Sequence, residues 1–322
     1  MSGAQETALN TAQDQVAVSV HGLMRRFGPL AAVDGVSFDV RCGEIFGLVG
    51  PDGAGKSTIM RMLAGVLGAD GGDIHLGGVD VLADPEAAKP HLSYMPQRFG
   101  LYEDLTVDEN IFFYAELFSV SAKDRRARSQ ELLAAAGMAP FRRRLAGQLS
   151  GGMKQKLGLV CALIHTPQVL LLDEPTTGVD PVSRRDFWGI LYGLREQGTT
   201  ILLSTAYMDE AERCSRLALL HAGRIRQCDT PARLKQAMPG ALLAVVTDDV
   251  RAAHAALEGA PCVLGLLLMG DRVNVRVDDP AKRLPELRAR LADHGIHQAE
   301  ITRVEPGIED VFVALLGTET AS

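Results

Sequence analysis

The chain has 322 residues, a formal net charge of -7, 47% hydrophobic residues and 23% charged residues. At roughly 100–200 residues per domain this suggests two domains with material for a sizeable core, and the acidic balance argues against a duplex nucleic-acid binder, which is normally basic. The five cysteines, Cys42, Cys161, Cys214, Cys228 and Cys262, form no C-x-x-C pair and no metal spacing, so they read as reduced thiols.

Residues 1–15 are polar and lack the apolar segment of a signal peptide, so they read as a disordered tail. The longest apolar stretch, Cys262 to Met269, is far short of the roughly 20 residues a membrane-spanning helix needs. Alternation at Val16–Val20 and Val36–Val40 predicts strands with one buried face. Ile45–Val49 is a continuous apolar run, which suits a strand buried on both faces. It ends at a glycine loop, after which Ile59, Met60, Leu63, Val66 and Leu67 recur at helical spacing. Residues 98–165 read as mostly helical. Strand–helix alternation then resumes with Val169–Leu172, Thr200–Leu203 and Leu217–Leu220, the pattern of a parallel α/β sheet. Near Pro231–Pro239 the pattern breaks. Strands at Leu242–Val246, Cys262–Leu268, Arg272–Val277 and Gln298–Val304, with helices at Val250–Leu257 and Leu284–Leu291, come next in the order of a split βαβ, ferredoxin-like unit. A last helix opens at Pro306 with Ile308, Val311, Phe312, Leu315 and Leu316 on one face.

The strongest chemical signal is Gly50-Pro51-Asp52-Gly53-Ala54-Gly55-Lys56-Ser57-Thr58, which fits G-x-x-x-x-G-K-[ST]. Glycines let successive backbone N–H groups converge on one phosphate, and the following helix aims its positive end there. Lys56 supplies a charge for the β- and γ-phosphates, and the Ser57 hydroxyl suits Mg2+. A second signal is Val169-Leu170-Leu171-Leu172-Asp173-Glu174, a buried strand that delivers two acids at its end. Asp173 is read as the magnesium carboxylate and Glu174 as the general base for water. Third, Leu149-Ser150-Gly151-Gly152-Met153-Lys154-Gln155 puts a hydroxyl and bare N–H groups at a helix start, an anion site or simply a cap. Since the P-loop already supplies a phosphate site, a second one fits a dimer whose chains close each other's nucleotide.

Together these motifs resemble the ABC-transporter nucleotide-binding subunits over about residues 16–235. The resemblance implies a RecA-like P-loop α/β domain over 16–239, with a helical subdomain at about 98–165, a C-terminal α+β appendage over 240–316 and a tail at 317–322. It makes Leu149–Gln155 the signature that binds the γ-phosphate of the partner's ATP, through Ser150, Gly151, Gly152 and Gln155. Gln97, in Tyr94-Met95-Pro96-Gln97, matches the Q-loop residue that contacts Mg2+ and relays to the membrane subunit. Phe27 matches the aromatic that stacks on adenine, and Asp180 the D-loop at the dimer interface. Glu305–Phe312 resembles the appendage of daunorubicin- and multidrug-resistance ATPases, which pair with ABC-2-type permeases. The implied protein is an ATP- and Mg2+-dependent ATPase, a dimer with itself or a second ABC ATPase. It is held at the cytoplasmic face of the membrane by a separate permease, and it exports a drug or other hydrophobic substrate without contacting nucleic acid.

Two departures stand out. Ser204-Thr205-Ala206-Tyr207-Met208-Asp209-Glu210 carries Ala206 where the family has its switch histidine. Losing one transition-state contact of that kind typically costs on the order of 10²–10³ in rate. Asp52 stands where the family commonly has Asn, a swap that keeps the turn but adds a negative charge. Ala206 therefore opens an alternative, a weakly hydrolysing half of an asymmetric dimer. A soluble ABC ATPase outside transport is remote, because the chain has one cassette and no heptad run.

Overall fold

A computed structural model of the chain describes residues 15–98 and 100–317. The expected tails fall almost wholly outside that range. The chain divides into two compact units. The first runs to Tyr207 and adds Cys214–Cys228; the second comprises Met208–Arg213 and the residues from Asp229 onward. The sequence pattern places the change at 239–240; the contact division falls before it and transfers a short internal helix.

In the first unit, β1 (Val16–Phe27) and β2 (Leu30–Arg41) form a long hairpin. With β4 (Gly71–Leu76) and β5 (Val79–Asp80) they make a sheet of order β2-β1-β4-β5. A second sheet has the order β10-β9-β3-β8-β7-β6. Its strands are β3 (Ile45–Val49), β6 (Leu92–Met95), β7 (Val169–Asp173), β8 (Thr200–Thr205), β9 (Arg216–His221) and β10 (Arg224–Asp229). All residues of β3, β7 and β8 are buried, as continuous apolar runs in a covered parallel sheet should be. Pairing of β9, β3, β8, β7 and β6 is parallel, so their C-terminal ends share one edge of the sheet. Between β6 and β7 lie helices Val107–Leu117, Ala122–Ala135 and Gly151–Leu163, the expected helical region. Thr106 and Glu109 close a capping box at the first of them.

Strands β4, β5, β6 and β10 are not evident from the sequence pattern. The Gly71-Gly72 start of β4 and the polar Arg224–Asp229 of β10 carry little β-forming signal. They pair because neighbouring strands offer a ladder.

In the second unit, β11 (Ala241–Val246), β12 (Gly265–Leu268), β13 (Val273–Val277) and β14 (Glu300–Val304) form a sheet of order β12-β13-β11-β14, antiparallel throughout. This is the expected split βαβ order. Leu243, Val245, Val273, Val275 and Val277 pack against Ala253, Leu257, Leu287 and Leu291 from the two helices. The second helix is longer than the expected Leu284–Leu291: Asp279 caps it, and it runs over Pro280–Asp293 straight through Pro285. The last helix, Ile308–Gly317, begins where the Ile308 N–H donates to Glu212 at 3.0 Å, and Lys235 pairs with the same carboxylate at 2.8 Å. No helix among the described residues is long and apolar enough to cross a membrane.

Candidate active site

Register in the parallel sheet sets the site. Val49 lies beside Thr205, Asp173 beside Ser204, and Met95 beside Leu172, so β3, β8, β7 and β6 end together. Ligands of open α/β sheets bind outside such carboxyl ends. The loop after β3 then turns into the helix Lys56–Leu63, whose N-cap is Gly55. Two glycines there are required by space. A Cβ on Gly50 would meet the Leu220 carbonyl oxygen at 2.2 Å, and one on Gly55 (φ +107) would meet that of Ala32 at 2.3 Å. Bare backbone is thereby kept at the loop's two ends, while Gly53 (φ +78) has open space.

Lys56 is 3% exposed and its ammonium is fully engaged. It donates to the carbonyls of Gly50 at 2.9 Å and Pro51 at 3.0 Å, and pairs with Glu174 at 3.1 Å. Asp52 also reaches it, at 3.8 Å, but the Asp52 side chain is 93% exposed, so solvent screens that pair. Glu174 comes directly after β7 with φ 48, a left-handed conformation uncommon for a non-glycine residue. Its N–H donates to Ser204 Oγ at 3.0 Å; its carboxylate accepts from Gln97 Nε2 at 2.9 Å and Thr177 Oγ1 at 3.3 Å. Asp173 is buried under three hydroxyls. Ser204 and Ser57 donate to Oδ1 at 2.6 and 3.0 Å, and Tyr94 donates to Oδ2 at 3.3 Å. Burial foremost, and then the Asp173 charge, push the Tyr94 phenol up to about 12. The oxygen-only pair of Ser57 and Asp173 fits magnesium, which keeps several waters and takes one or two protein ligands plus substrate phosphates.

Of the residues expected at the site, the fold thus gathers Lys56, Ser57, Asp173, Glu174 and Gln97 at one sheet edge, with the P-loop backbone from Gly50 to Thr58. Phe27 ends β1, 46% exposed, with the Arg25 guanidinium 5.1 Å from its ring centre. Its hairpin adjoins the P-loop through Ala32. Ser150, Gly151, Gly152, Gln155 and Asp180 form a separate group. Ser150 caps Gly151–Leu163 by accepting the Met153 N–H at 3.3 Å, and Asp180 caps Pro181–Glu196 by accepting from Ser183 at 2.9 Å. That bond holds the Asp180 carboxyl below its usual range. A Cβ on Gly152 would lie 2.6 Å from Ser183, so the two helix starts abut. Among the described residues this group shares no hydrogen bond or ion pair with Lys56, Ser57, Asp173 or Glu174.

Tyr94, Ser204 and Thr177 carry no motif that marks them in the sequence as contacts of the acids. Ser204 becomes visible only through the β7–β8 register. Ala206 succeeds Thr205, whose carbonyl accepts the Gly50 N–H at 3.2 Å, so position 206 stands beside the P-loop.

The family model for ABC transporters matches residues 33–177. The chain is 34% identical over 314 residues to "Daunorubicin/doxorubicin resistance ATP-binding protein DrrA" of Streptomyces peucetius, covering 96% of this chain and 94% of that protein. The chain belongs to the ABC transporter ATP-binding proteins. This ABC chain is also 42% identical over 305 residues to "Probable multidrug ABC transporter ATP-binding protein YbhF" of Escherichia coli (strain K12). The match covers 93% of the ABC chain but 52% of that relative, so the chain spans about half its length. A solved "Structure of ATP binding subunit of ABC transporter" superposes with a TM-score of 0.63 at 29% identity, over 69% of this chain and 92% of that one. The superposition accounts for an α/β P-loop fold.

Proposed function

We propose that this chain binds and hydrolyses ATP with Mg2+ to drive a membrane exporter, working as a dimer with two composite nucleotide sites. The observation that carries the reading is the contact of Lys56 with Glu174 at 3.1 Å, beside Ser57 and Asp173 at 3.0 Å. Buried Lys56 is neutralised by the one carboxylate expected to act as base. A triphosphate brings competing negative charge to the same ammonium, within a loop of backbone N–H groups and a helix N-terminus. Lys56 then exchanges its carboxylate for phosphate oxygens, and Glu174 is released to accept a proton from water. Gln97 and Thr177 keep hold of that carboxylate and fix where it stands. Bound magnesium would neutralise phosphate charge, with Ser57 and Asp173 holding it.

Ser150, Gly151 and Gly152 present a helix start and, among the described residues, form no bond to Asp173, Glu174 or Lys56, which suits a role on nucleotide held by a second copy or a related ATPase. In the same reading Phe27 stacks on adenine and Asp180 lies at the dimer interface. The names of the relatives support a drug or other hydrophobic cargo. The permease would be of the ABC-2 type and would hold the chain at the inner face of the membrane. A cleft of about 820 Å3, lined by Tyr94, Tyr114, Leu117 and Phe118 among others, lies next to the strand that leads to Gln97 and suits a permease segment. Ala206 favours a second reading, in which this chain's own P-loop site hydrolyses slowly and a histidine-bearing partner supplies the faster one.

Titration calorimetry tests the assignment. Lys56→Ala should abolish measurable MgATP binding, since the phosphates lose their buried cation. Equal affinity in the two proteins would overturn it.

A further inference from the structure

Three elements of the first unit meet at the Asp173 carboxylate, and two of their contacts have an evident source. Ser57 comes from the P-loop helix and Ser204 from β8, and both donate to Oδ1. The donor on Oδ2 is Tyr94, on β6. The Arg61 side chain, one turn along the P-loop helix from Ser57, acts on the same phenol. A carboxylate only accepts, so the phenol gives its proton to Asp173. The strand that carries Tyr94 leads directly to Gln97, which holds Glu174 at 2.9 Å. Both acids are therefore gripped from the same strand end.

We propose that Tyr94 is a positioning residue for magnesium: its hydroxyl fixes the Asp173 carboxylate so that the oxygen beside Ser57 faces the metal. A carboxylate with donors on one oxygen only can turn about its bond to Cβ, whereas one held at both oxygens cannot. Partners of this kind, one bond away from a metal ligand, tune affinity without touching the ion. The inference rests on the ATP- and magnesium-binding reading above.

The test measures binding rather than turnover. Affinity of the full chain for a trinitrophenyl-labelled ATP is measured in EDTA and across a MgCl2 titration, for wild type, Tyr94→Phe and Arg61→Met. Phenylalanine keeps the ring and removes only the hydroxyl. Affinity in EDTA should stay within about twofold, while the MgCl2 midpoint should rise by about tenfold or more. Loss of packing alone would lower both affinities together. A folded Tyr94→Phe protein with an unmoved MgCl2 midpoint overturns the proposal. Should that variant fail to fold by thermal melting, Arg61→Met decides: a raised midpoint supports the role, and an unchanged one overturns it. Wild type without nucleotide binding, or without any magnesium dependence, would overturn the ATPase reading itself and is recognisable before any variant is compared.

Discussion

At the level of single side chains, the site is an arrangement of charges held in reserve. Lys56 and Glu174 pair at 3.1 Å, and the proposed mechanism requires that pair to separate when a phosphate binds. The exchange needs a ligand whose charge outweighs a carboxylate, which a triphosphate provides. In the proposed reading, hydrolysis after that exchange depends on position 206. Its methyl has no donor for a γ-phosphate and cannot orient Glu174. Tyr207 is 37% exposed and its ring lies under the Arg184 guanidinium, 4.2 Å from centroid to Cζ. It is thereby engaged in a cation–π contact rather than held toward the acids. Ala206→His should therefore raise phosphate release by the purified chain, by on the order of 10² where the added contact is made only in the transition state. Steady-state phosphate release reads this directly. A wild-type chain that already turns over at ordinary transporter rates, unchanged by the histidine, would favour the simple homodimeric ATPase.

Among elements, the loop after β3 brings a strand end, a turn and a helix N-terminus together, an arrangement suited to an anion. Gly55 holds φ +107 within 2.3 Å (as a Cβ would measure it) of the Ala32 carbonyl oxygen. An alanine there would strain the backbone and press the β2 chain away. Gly55→Ala should cost about 1–3 kcal/mol from the dihedral alone, and more if Ala32 cannot retreat. Thermal melting should register the loss, and nucleotide binding should weaken with it. Gly53→Ala offers the contrast: its φ is also positive but its Cβ meets nothing. If the two alanines destabilise equally, strain rather than the close approach to Ala32 governs. The glycine pattern and the acids after β7 are legible in the sequence because motif and element coincide along the chain. Of the hydroxyls that hold Asp173, Ser57 is legible from the motif, but Tyr94 and Ser204 are not, because they lie on β6 and β8 and reach the acid only by strand register.

For the molecule as a whole, the residues proposed to carry nucleotide chemistry precede the sheet of the second unit. A truncation after Gly240 should keep ATP affinity. It should not be silent, however. Met208–Arg213 groups with the second unit, and Glu212 accepts the N–H that opens the last helix. Removing that helix leaves Glu212 with Lys235 alone of these two partners, and the segment after Tyr207 loses part of its packing. The expected result is a lower thermal midpoint with calorimetric ATP affinity unchanged. Lost binding in a truncated chain that is demonstrably folded would assign the second unit a part in the nucleotide site.

The sequence by itself showed most of the order of elements, the glycine loop before a helix, two acids at a buried strand's end and the serine and glycines before Gly151–Leu163. Each is local: a period, a spacing or a glycine whose meaning is complete within about ten residues. Tertiary structure alone decided which side chains complete the acids, because β6, β7 and β8 are far apart in the chain and adjacent only in the sheet. It also decided that Lys56 and Glu174 neutralise each other, and that Met208–Arg213 packs with the later residues. Those outcomes come from burial, which brings distant charges within reach and then requires each to find a partner.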